Sequence, residues 1–556
     1  MSTCTTVDDV VGGLTKGESL KYTLIGQGEA KPRKFYKFWE GGGKRFAIPN
    51  NDMRTVLHAI VERVFYVKLG GVFQRPPAFT TSKKRFAVFK DGLTSILGNL
   101  SPCSAETFCA RYTGNKFRLY TNAAESLLTD TLEWKDSWIR AFTKAEYLKP
   151  NGCPRLIQPR SPRYNVCLGC YLSPNEKTIL HGVDQLFTER WGDSNKTVAK
   201  GMNFSERGKV IASMWADFDD PVCIGFDAAR FDQHINESLL ELEHSIYLKL
   251  FSDTNSSIGE VKLSTLLKWQ RRNICSWNGP EGKVIYKTKG CRMSGDMNTS
   301  LGNILVMTML WYTYREEKGY DFRLLNDGDD SCIICSRTTA AKIQEDVQDF
   351  FTQCGITMVV EGIFNTLEDI TFCQAKPVFD GENYYLCPNP HKRLFSDLTT
   401  MKDMTSAKTF NMQLGSIAAC GLAANGSTPV LNTLYRRMGT GVELFIPDRS
   451  HHLYRFRQEL VEGMTPIFKQ PTWKHRISFY HAFDITPAEQ LALEKFYNNL
   501  PCLKHQFCDK RQMAFAALSL LDPVYVEHEH AEGVDADKGR RISTIATPIT
   551  TKKYYG

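Results

Sequence analysis

The sequence has no apolar run near the roughly 20 residues that a membrane-spanning helix needs. Its longest candidate, Leu301 to Tyr312, is broken by Gly302, Asn303 and Thr308, so work on a membrane is expected to need a partner that supplies the anchor. No internal repeat and no low-complexity block occurs, which excludes solenoids and fibrous arrays. No signal peptide is read, and the 17 cysteines follow no small-domain disulfide spacing. They are expected to be reduced thiols in a cytosolic compartment. Two Cys-x-x-Cys pairs, Cys167/Cys170 and Cys332/Cys335, lack a second pair at zinc-finger spacing. The latter lies in an expected strand, where residues three apart point to opposite faces.

What is there is a long globular chain. Its 556 residues are 42% apolar, enough for a large core and several subdomains. The net charge is +8, from 69 basic and 61 acidic residues, a mild excess that fits a polyanionic partner. Residues 1–30 read as polar, glycine-rich and irregular. A basic, aromatic stretch follows, Lys31-Pro-Arg-Lys-Phe-Tyr-Lys-Phe-Trp39, then Lys44-Arg45-Phe46 and a second cluster at Lys83-Lys84-Arg85-Phe86. Such mixtures suit a groove that tracks a nucleic-acid strand, cations on phosphates and rings on bases. The alternative is a solvated loop with its aromatics in a local core. The segment from Lys144 to Arg163 sets five basic residues against Glu146 and contains four prolines, so it is expected to be extended. Ser173, Pro174 and Glu176 then read as a helix start, and Thr486-Pro487-Ala488-Glu489 as another, running to about Asn498. Residues 527–556, with His528 and His530, read as a frayed tail.

Three short motifs occur in order. In Ile224-Gly-Phe-Asp227-Ala-Ala-Arg-Phe-Asp232 an apolar strand delivers Asp227 at its end, and Asp232 follows as a helix begins. In Ser294-Gly295-Asp-Met-Asn-Thr299-Ser-Leu-Gly302-Asn303 a flexible Ser-Gly loop leads into a helix, with Thr299 and Asn303 on one face. In Leu324-Leu-Asn-Asp327-Gly328-Asp329-Asp330, followed by Cys332-Ile333-Ile334, two apolar strands flank an Asp-Gly turn, a strong hairpin signal that puts adjacent carboxylates at its tip. A lone Gly-Asp-Asp arises by chance in about one chain in ten of this length, so only the ordered set is specific.

These residues resemble motifs A, B and C of viral RNA-dependent RNA polymerases of the positive-strand class. Residues 226–234 (Phe-Asp-Ala-Ala-Arg-Phe-Asp-Gln-His) and 155–165 (Arg-Leu-Ile-Gln-Pro-Arg-Ser-Pro-Arg-Tyr-Asn) are similar to the tombusvirus-like plant virus replicases, with luteovirus and umbravirus enzymes among them. The similarity is read from about residue 60 to 480. It implies an α+β right hand with an antiparallel palm sheet flanked by helices: an N-terminal basic region and fingertips at 1–60, fingers at 61–222 and 237–290, palm at 223–236 and 291–390, thumb at 391–526, and the tail beyond. It implies that NTPs are joined to an RNA 3′ end with two Mg²⁺ ions, for which Mn²⁺ can substitute. Asp227, Asp329 and Asp330 then match the metal-binding aspartates. Asp232 and Asn303 match the pair that reads the ribose 2′-hydroxyl, with Ser294, Gly295 and Thr299 nearby. Lys144, Arg155 and Arg163 match the cations that hold the incoming triphosphate. Arg160 and Lys83, Lys84 and Arg85 are assigned to RNA, and Phe372-Cys373-Gln374 to the motif E hairpin under the nascent 3′ end. Partners implied are template RNA, NTPs and a viral membrane-anchoring replication protein, and the location is the host cytoplasm at membrane-bound replication complexes.

The chemistry agrees with that resemblance. Nucleotide joining is an in-line displacement between polyanions, and paired Mg²⁺ ions with hard oxygen ligands suit it. An Asp–Asn pair offers acceptor and donor to a 2′-OH. One departure stands out: the motif D stretch, Gly355-Ile-Thr-Met-Val-Val-Glu361, has no lysine. Either the alignment slips there, Lys376 serves, or water does. Plain structural readings stay open for Asn303 as a buried amide, for Arg155 as an ion-pair partner, and for Thr299 as a hydroxyl bonded back to its helix. A reverse transcriptase or DNA polymerase on the same palm and an RNA-binding or capsid-type protein are the competing classes.

Overall fold

Val222, Ile224 and Phe226 alternate with Cys223 and Gly225 along one strand, and both sets are buried. That alternation, period two with apolar groups on each side, belongs to a strand covered on both faces. The computed structural model describes residues 13–25, 28–33, 35–38, 48–69, 72–148, 152–251, 259–401, 406–447, 460–500, 502–503 and 515–516. The expectations for Trp39, for Lys44-Arg45-Phe46 and for the tail at 527–556 with its two histidines lie outside the described residues.

The strands that position the site are β1 (Ser19–Leu24), β2 (Ile139–Arg140), β3 (Phe142–Thr143), β4 (Leu156–Ile157), β5 (Pro221–Ala228), β6 (Arg272–Gly279), β7 (Gly282–Lys289), β8 (Phe322–Asp327), β9 (Asp330–Ser336), β10 (Met358–Phe364), β11 (Ala375–Phe379) and β12 (Tyr384–Pro388). The helices are α1 (Met53–Ile60), α2 (Pro162–Trp191), α3 (Phe204–Ala216), α4 (Phe231–His234), α5 (Glu237–Leu250), α6 (Thr299–Lys318) and α7 (Arg337–Gln353). With its antiparallel sheets and separate helical layers the chain is α+β.

The central sheet has the order β8-β9-β5-β10, antiparallel throughout. One of its faces gives Ile224, Phe226, Leu324 and Ile333 to a large core with Trp311 of α6 and Phe351 of α7. The other gives Cys223, Leu325, Cys332 and Ile334 to a second core with Ile211 and Met214 of α3. Cys332 and Cys335 accordingly enter different cores, as a three-residue step along a strand requires.

A second four-stranded sheet, β1-β7-β6-β2, turns one face onto α1 and buries Leu20, Tyr286, Val284, Cys275 and Trp277. The expectation of an irregular stretch before residue 30 is corrected here. Ser19–Leu24 is a strand because β7, far away in sequence, offers it an edge; only Leu20 of its six residues is buried, so it carries almost no apolar pattern of its own. Four helices between residues 407 and 498 surround a further core of Phe410, Leu414, Leu434, Phe479 and Leu493, which also receives Phe38. The aromatic part of the 31–39 stretch thus reaches a core at Phe38, while Arg33 donates to the carbonyls of Pro49 and Thr143 at 2.8 Å each.

The helix expected to open at Ser173 opens at Pro162, with Ser161 as its cap accepting from the Tyr164 amide. The extended stretch therefore ends before Arg163. Pro174 falls inside this helix, where it withholds the amide that would reach Cys170 O. That carbonyl is satisfied from outside: the Cys103 amide donates to it at 2.9 Å, and the Asn175 side chain donates to Tyr171 O at 2.8 Å. The second start was read correctly. Thr486 and Glu489 form a capping box on Pro487–Asn498.

The far end of α6 is tied down by a buried ion pair. Arg315 donates to both Asp193 carboxylate oxygens, at 2.6 and 3.2 Å, and lies over the Trp191 ring at 4.3 Å. Arg315→Ala should destabilise the protein by about 3 kcal/mol, the low end for a broken buried pair, because Arg323 still reaches Asp193 at 3.5 Å. Urea unfolding checks this. Replacing both partners, Arg315→Met with Asp193→Asn, should recover most of the loss.

Candidate active site

The hairpin between β8 and β9 has Asp327 and Asp330 as its closing pair. Its two central residues are Gly328 and Asp329, so the turn pairs Gly-Asp and not the Asp-Gly expected from sequence. Gly328 has φ of 88° and Asp329 has no positive φ, the pattern of a type II′ turn, whose first position demands glycine. Asn326, fully buried, staples the tip. Its Nδ2 donates to Gly328 O, Asp330 O and Ser331 Oγ at 2.9–3.1 Å, and its Oδ1 accepts from the Gly328 amide at 3.2 Å. Trp311 Nε1 donates to the same Ser331 hydroxyl at 3.1 Å. Sequence reading passed over Asn326, although an Asn beside a Gly turn is a recognised local signal.

The register of β9 against β5 sets Asp330 directly across from Asp227. Asp329 lies one residue further towards the turn, where its carbonyl accepts from the Ala228 amide at 3.1 Å, and the residue is exposed. Burial and the charges of Asp329, Asp227 and Glu361 push the Asp330 carboxyl up to about 7. Burial, with Asp232 and Asp327 adding to it, also raises the Asp329 carboxyl, while Arg155 pulls it down. Carboxylates crowded this way need a cation. A divalent metal with oxygen ligands fits Asp227, Asp329 and Asp330 chemically. Asp327 already has a partner, Arg207 Nη2 at 2.8 Å.

Beside this cluster Asn303 Nδ2 donates to Asp232 Oδ1 at 2.8 Å, and the Ser294 hydroxyl donates to the other oxygen of the same carboxylate. Asn303 Oδ1 accepts from Arg292 Nε at 3.0 Å, which fixes which end of the amide faces Asp232. Arg292 is itself held by Glu243 of α5, and both side chains are fully buried. Glu243 accepts further from Asn298 at 2.7 Å and from the Tyr247 hydroxyl at 2.9 Å. Gly302 makes room for the pair: a Cβ there would lie 2.2 Å from Glu243 Oε1. Arg292, Glu243 and Asn298 were missed in the sequence, because a buried polar residue reads like a surface one.

The other expected residues separate into groups. Arg155, half exposed, pairs with Glu146, as does Lys144 at 3.2 Å. Pairing with Glu146 raises the Arg155 pKa, and the charges of Asp329 and Asp232 add to it. Arg160 and Arg163, expected to face RNA and triphosphate, are engaged with partners inside the protein. The Arg160 side chain is fully buried and bonds Asp296, the Ser137 carbonyl and Asn273 at 2.6–3.1 Å, which holds it away from the surface that RNA could reach. Arg163 bonds Asp136, Ser126 and the carbonyls of Asp130 and Thr131 at 2.7–3.3 Å, which commits four of its five N–H donors to the protein itself. Lys83 pairs with Glu241, Arg85 pairs with Glu317 and stacks on Phe350, and Phe86 is in the core; Lys84 remains exposed beside them. Thr299 Oγ1 donates to the carbonyls of Met293 and Asp296 and accepts from the Gly295 amide at 3.3 Å, so both shape the loop before α6. Cys373 and Gln374 form a two-residue turn between Phe372 and Ala375, leading into the β11–β12 hairpin. From the motif D segment it is Glu361 whose charge reaches Asp330. Lys376 has Asp369 at 3.9 Å.

The fold and cleft first define a class, an α+β protein whose central antiparallel sheet gathers carboxylates at one hairpin tip. The chain belongs to the viral RNA-dependent RNA polymerase family, whose model it matches over residues 22–504, wider at both ends than residues 60–480. It is 34% identical over 503 residues to the RNA-directed RNA polymerase of Tobacco necrosis virus (strain A), covering 87% of this chain and 66% of that protein. It is 36% identical over 477 residues to that of Oat chlorotic stunt virus (isolate United Kingdom), covering 81% and 62%. It is 34% identical over 463 residues to that of Tomato bushy stunt virus (strain Cherry), covering 81% and 54%. The match thus spans between about half and two thirds of these relatives' length. The resemblance read from residues 155–165 and 226–234 is borne out.

Gly302→Ala tests the buried network. Alanine is favoured over glycine in a helix by about 1 kcal/mol. Overpacking costs about 1–3 kcal/mol, and displacing a buried ion pair costs more still. The net result should be a loss of at least about 2 kcal/mol, seen as a lower urea midpoint.

Proposed function

We propose that the chain is an RNA-dependent RNA polymerase that replicates the genome of a positive-strand plant RNA virus, joining NTPs to an RNA 3′ end. The observation that carries this reading is the pairing of Asp227 with Asp330 across two adjacent antiparallel strands, with Asp329 in the turn next to them, beside the hydrogen-bonded Asp232–Asn303 pair. In this reading β5, β8, β9 and β10 belong to the palm (223–236 and 291–390). Residues 61–222 and 237–290 are fingers, and 391–526 the thumb.

Asp227, Asp329 and Asp330 would hold two divalent ions, Mg²⁺ with Mn²⁺ able to replace it. Bound there, the metal supplies activation of the 3′-hydroxyl and charge stabilisation at the leaving pyrophosphate. The protein's own groups do the rest. Arg155 brings a cation to the triphosphate, with Lys144 behind it. Asp232 accepts from a ribose 2′-OH and Asn303 donates to it, Asn303 being held in one orientation by Arg292. Ser294 keeps the Asp232 carboxylate turned towards the cleft. Arg207 neutralises Asp327, so the cleft keeps its negative charge at the metal ligands. Template RNA and NTPs are the substrates. No helix among the described residues is long and apolar enough to cross a membrane, and a viral membrane-anchoring protein would bring the enzyme to replication complexes in the host cytoplasm.

Asp329→Asn should abolish Mg²⁺-dependent primer extension while leaving RNA binding nearly intact, because binding depends on cations elsewhere. Equal loss of both in a folded variant would mark Asp329 as structural. Sugar choice is the finer test. Loss of one site hydrogen bond leaves its buried partner unpaired, worth about 1–3 kcal/mol. Asn303→Ala or Asp232→Ala should therefore narrow the NTP over dNTP preference about tenfold or more. An unchanged ratio in both variants would remove the ribose-reading role and leave the polymerase reading in place.

A further inference from the structure

The sheet β1-β7-β6-β2 has a second face, opposite the one packed on α1. Strand register defines it. Lys283 pairs with Asn278, Ile285 with Ser276, Lys287 with Ile274 and Lys289 with Arg272 between β7 and β6. Lys21 of β1 lies beside Ile285, and Arg140 of β2 beside Ser276. Every residue on this face is exposed or half-exposed, while its neighbours one step along each strand in β6, β7 and β2 are buried or, at Gly279, half-buried. The face therefore carries Lys21, Arg140, Arg272, Lys283, Lys287 and Lys289 and no carboxylate of its own strands.

The nearby acids are engaged elsewhere. Glu18 pairs with Arg75, and Glu281 accepts from the Met53 amide. Lys289 alone is matched, by Glu237 at 3.2 Å. Among the described residues no ion pair reaches the other five cations. An unbalanced sheet face of this kind repels itself and is compensated by a polyanion.

The edge of the face continues towards the cleft. Trp138, Arg140, Phe142 and Lys144 alternate with the buried Ile139, Ala141 and Thr143, so cations and rings share one side. Trp138 is 45% and Phe142 40% exposed, large rings left open to solvent. β3 pairs with β4, and the Lys144 amide donates to Arg155 O at 2.7 Å. The chain just beyond β4 reaches the site, where the Gln158 amide donates to Ser294 O at 2.7 Å.

We propose that this sheet face is a second RNA-binding surface, outside the catalytic cleft, which holds single-stranded template and leads it along the Trp138–Lys144 ribbon. Alternate residues on a strand are about 6.6 Å apart and neighbouring strands about 4.8 Å, a grid that lets cations meet consecutive phosphates. Ser276 and Asn278 add hydrogen-bonding groups between them, and Trp138 and Phe142 offer rings on which bases stack at any sequence. A flat grid of charge edged by two rings suits a strand better than a lipid surface, which favours an amphipathic face with a broad apolar side.

The test is the quadruple variant Arg140→Gln, Arg272→Gln, Lys283→Gln and Lys287→Gln, in the Asp329→Asn background so that no synthesis occurs. Binding of a labelled 20-nucleotide single-stranded RNA is measured against salt. Each phosphate contact adds about 0.7 to the slope of log affinity on log salt. The variant should lose about 2–3 from that slope and bind at least about tenfold more weakly at moderate salt. Lys287→Glu alone, a charge reversal at an exposed position, should weaken binding in the same direction if the quadruple variant folds poorly. Unchanged affinity and slope in a folded variant overturns the proposal. So does unchanged RNA binding with lost binding to phosphatidylcholine–phosphatidylserine vesicles, which would make the face a membrane surface. Neither outcome touches the polymerase reading, which is judged on primer extension.

Discussion

Like-charge repulsion at the tip of one hairpin is the constraint around which the rest is built. Asp227 and Asp330 are cross-strand partners, Asp329 sits in the turn next to them, and Asp232 and Glu361 add their charges. Coulomb repulsion between partly buried charges amounts to several kcal/mol at about 4 Å. A single turn with exposed backbone would splay under it. Asn326 answers this with four hydrogen bonds inside the turn, and Trp311 and Ser331 anchor the strand behind it. Arg207 pairs with a further neighbouring carboxylate, Asp327. What remains uncompensated is the charge that a metal ion would meet.

A second, quieter constraint is orientation. Asp232 and Asn303 come from different segments, and an amide can present either end to its neighbour. Arg292 settles that choice for Asn303, Glu243 holds Arg292, and Asn298 and Tyr247 fill the remaining positions on Glu243. A buried ion pair of this kind is weak evidence for stability, because desolvation offsets most of the attraction. Its use here is geometric. Gly302, one residue before Asn303 on α6, admits the pair at the cost of helix propensity, so helix sequence and site geometry are read from the same residue.

Much of this was legible beforehand, for local reasons. An apolar strand ending in Asp227, a turn glycine before paired aspartates, and a loop feeding a helix with Asn303 on a fixed face are all encoded within a few residues of one another. The family resemblance rested on the same short segments. What was illegible depended on partners far away. Arg160 and Arg163 look like phosphate cations in a list of residues, and only Asp296 and Asp136, brought in by folding, show that they are internal struts. β1 has no pattern because β7 supplies its register. The start of α2 was misplaced because Ser173-Pro174 carries the same cap signature as Ser161-Pro162, and the Cys103 amide that makes Pro174 tolerable inside a helix comes from another element.

At the turn of Cys373 and Gln374, backbone strain lies next to the charged hairpin. Both residues have positive φ, 50° and 64°, although neither is glycine, and left-handed backbone costs about 1–2 kcal/mol per such residue. Strain of that size persists only where the surroundings over-determine it. Here Phe372 and Ala375 exchange both backbone hydrogen bonds at 2.9 and 3.0 Å, and the Asn389 amide donates to Gln374 O at 3.2 Å. Lys392 reaches the Gln374 side chain at 3.2 Å. The Cys373 thiol donates to Asp327 at 3.6 Å, the carboxylate that Arg207 neutralises. Glycine at these two positions would relieve the strain but remove the thiol that touches the acidic hairpin and the amide that Lys392 holds. The sequence therefore keeps two side chains in an unfavourable backbone region, where Cys373 touches the carboxylate hairpin and Gln374 meets Lys392.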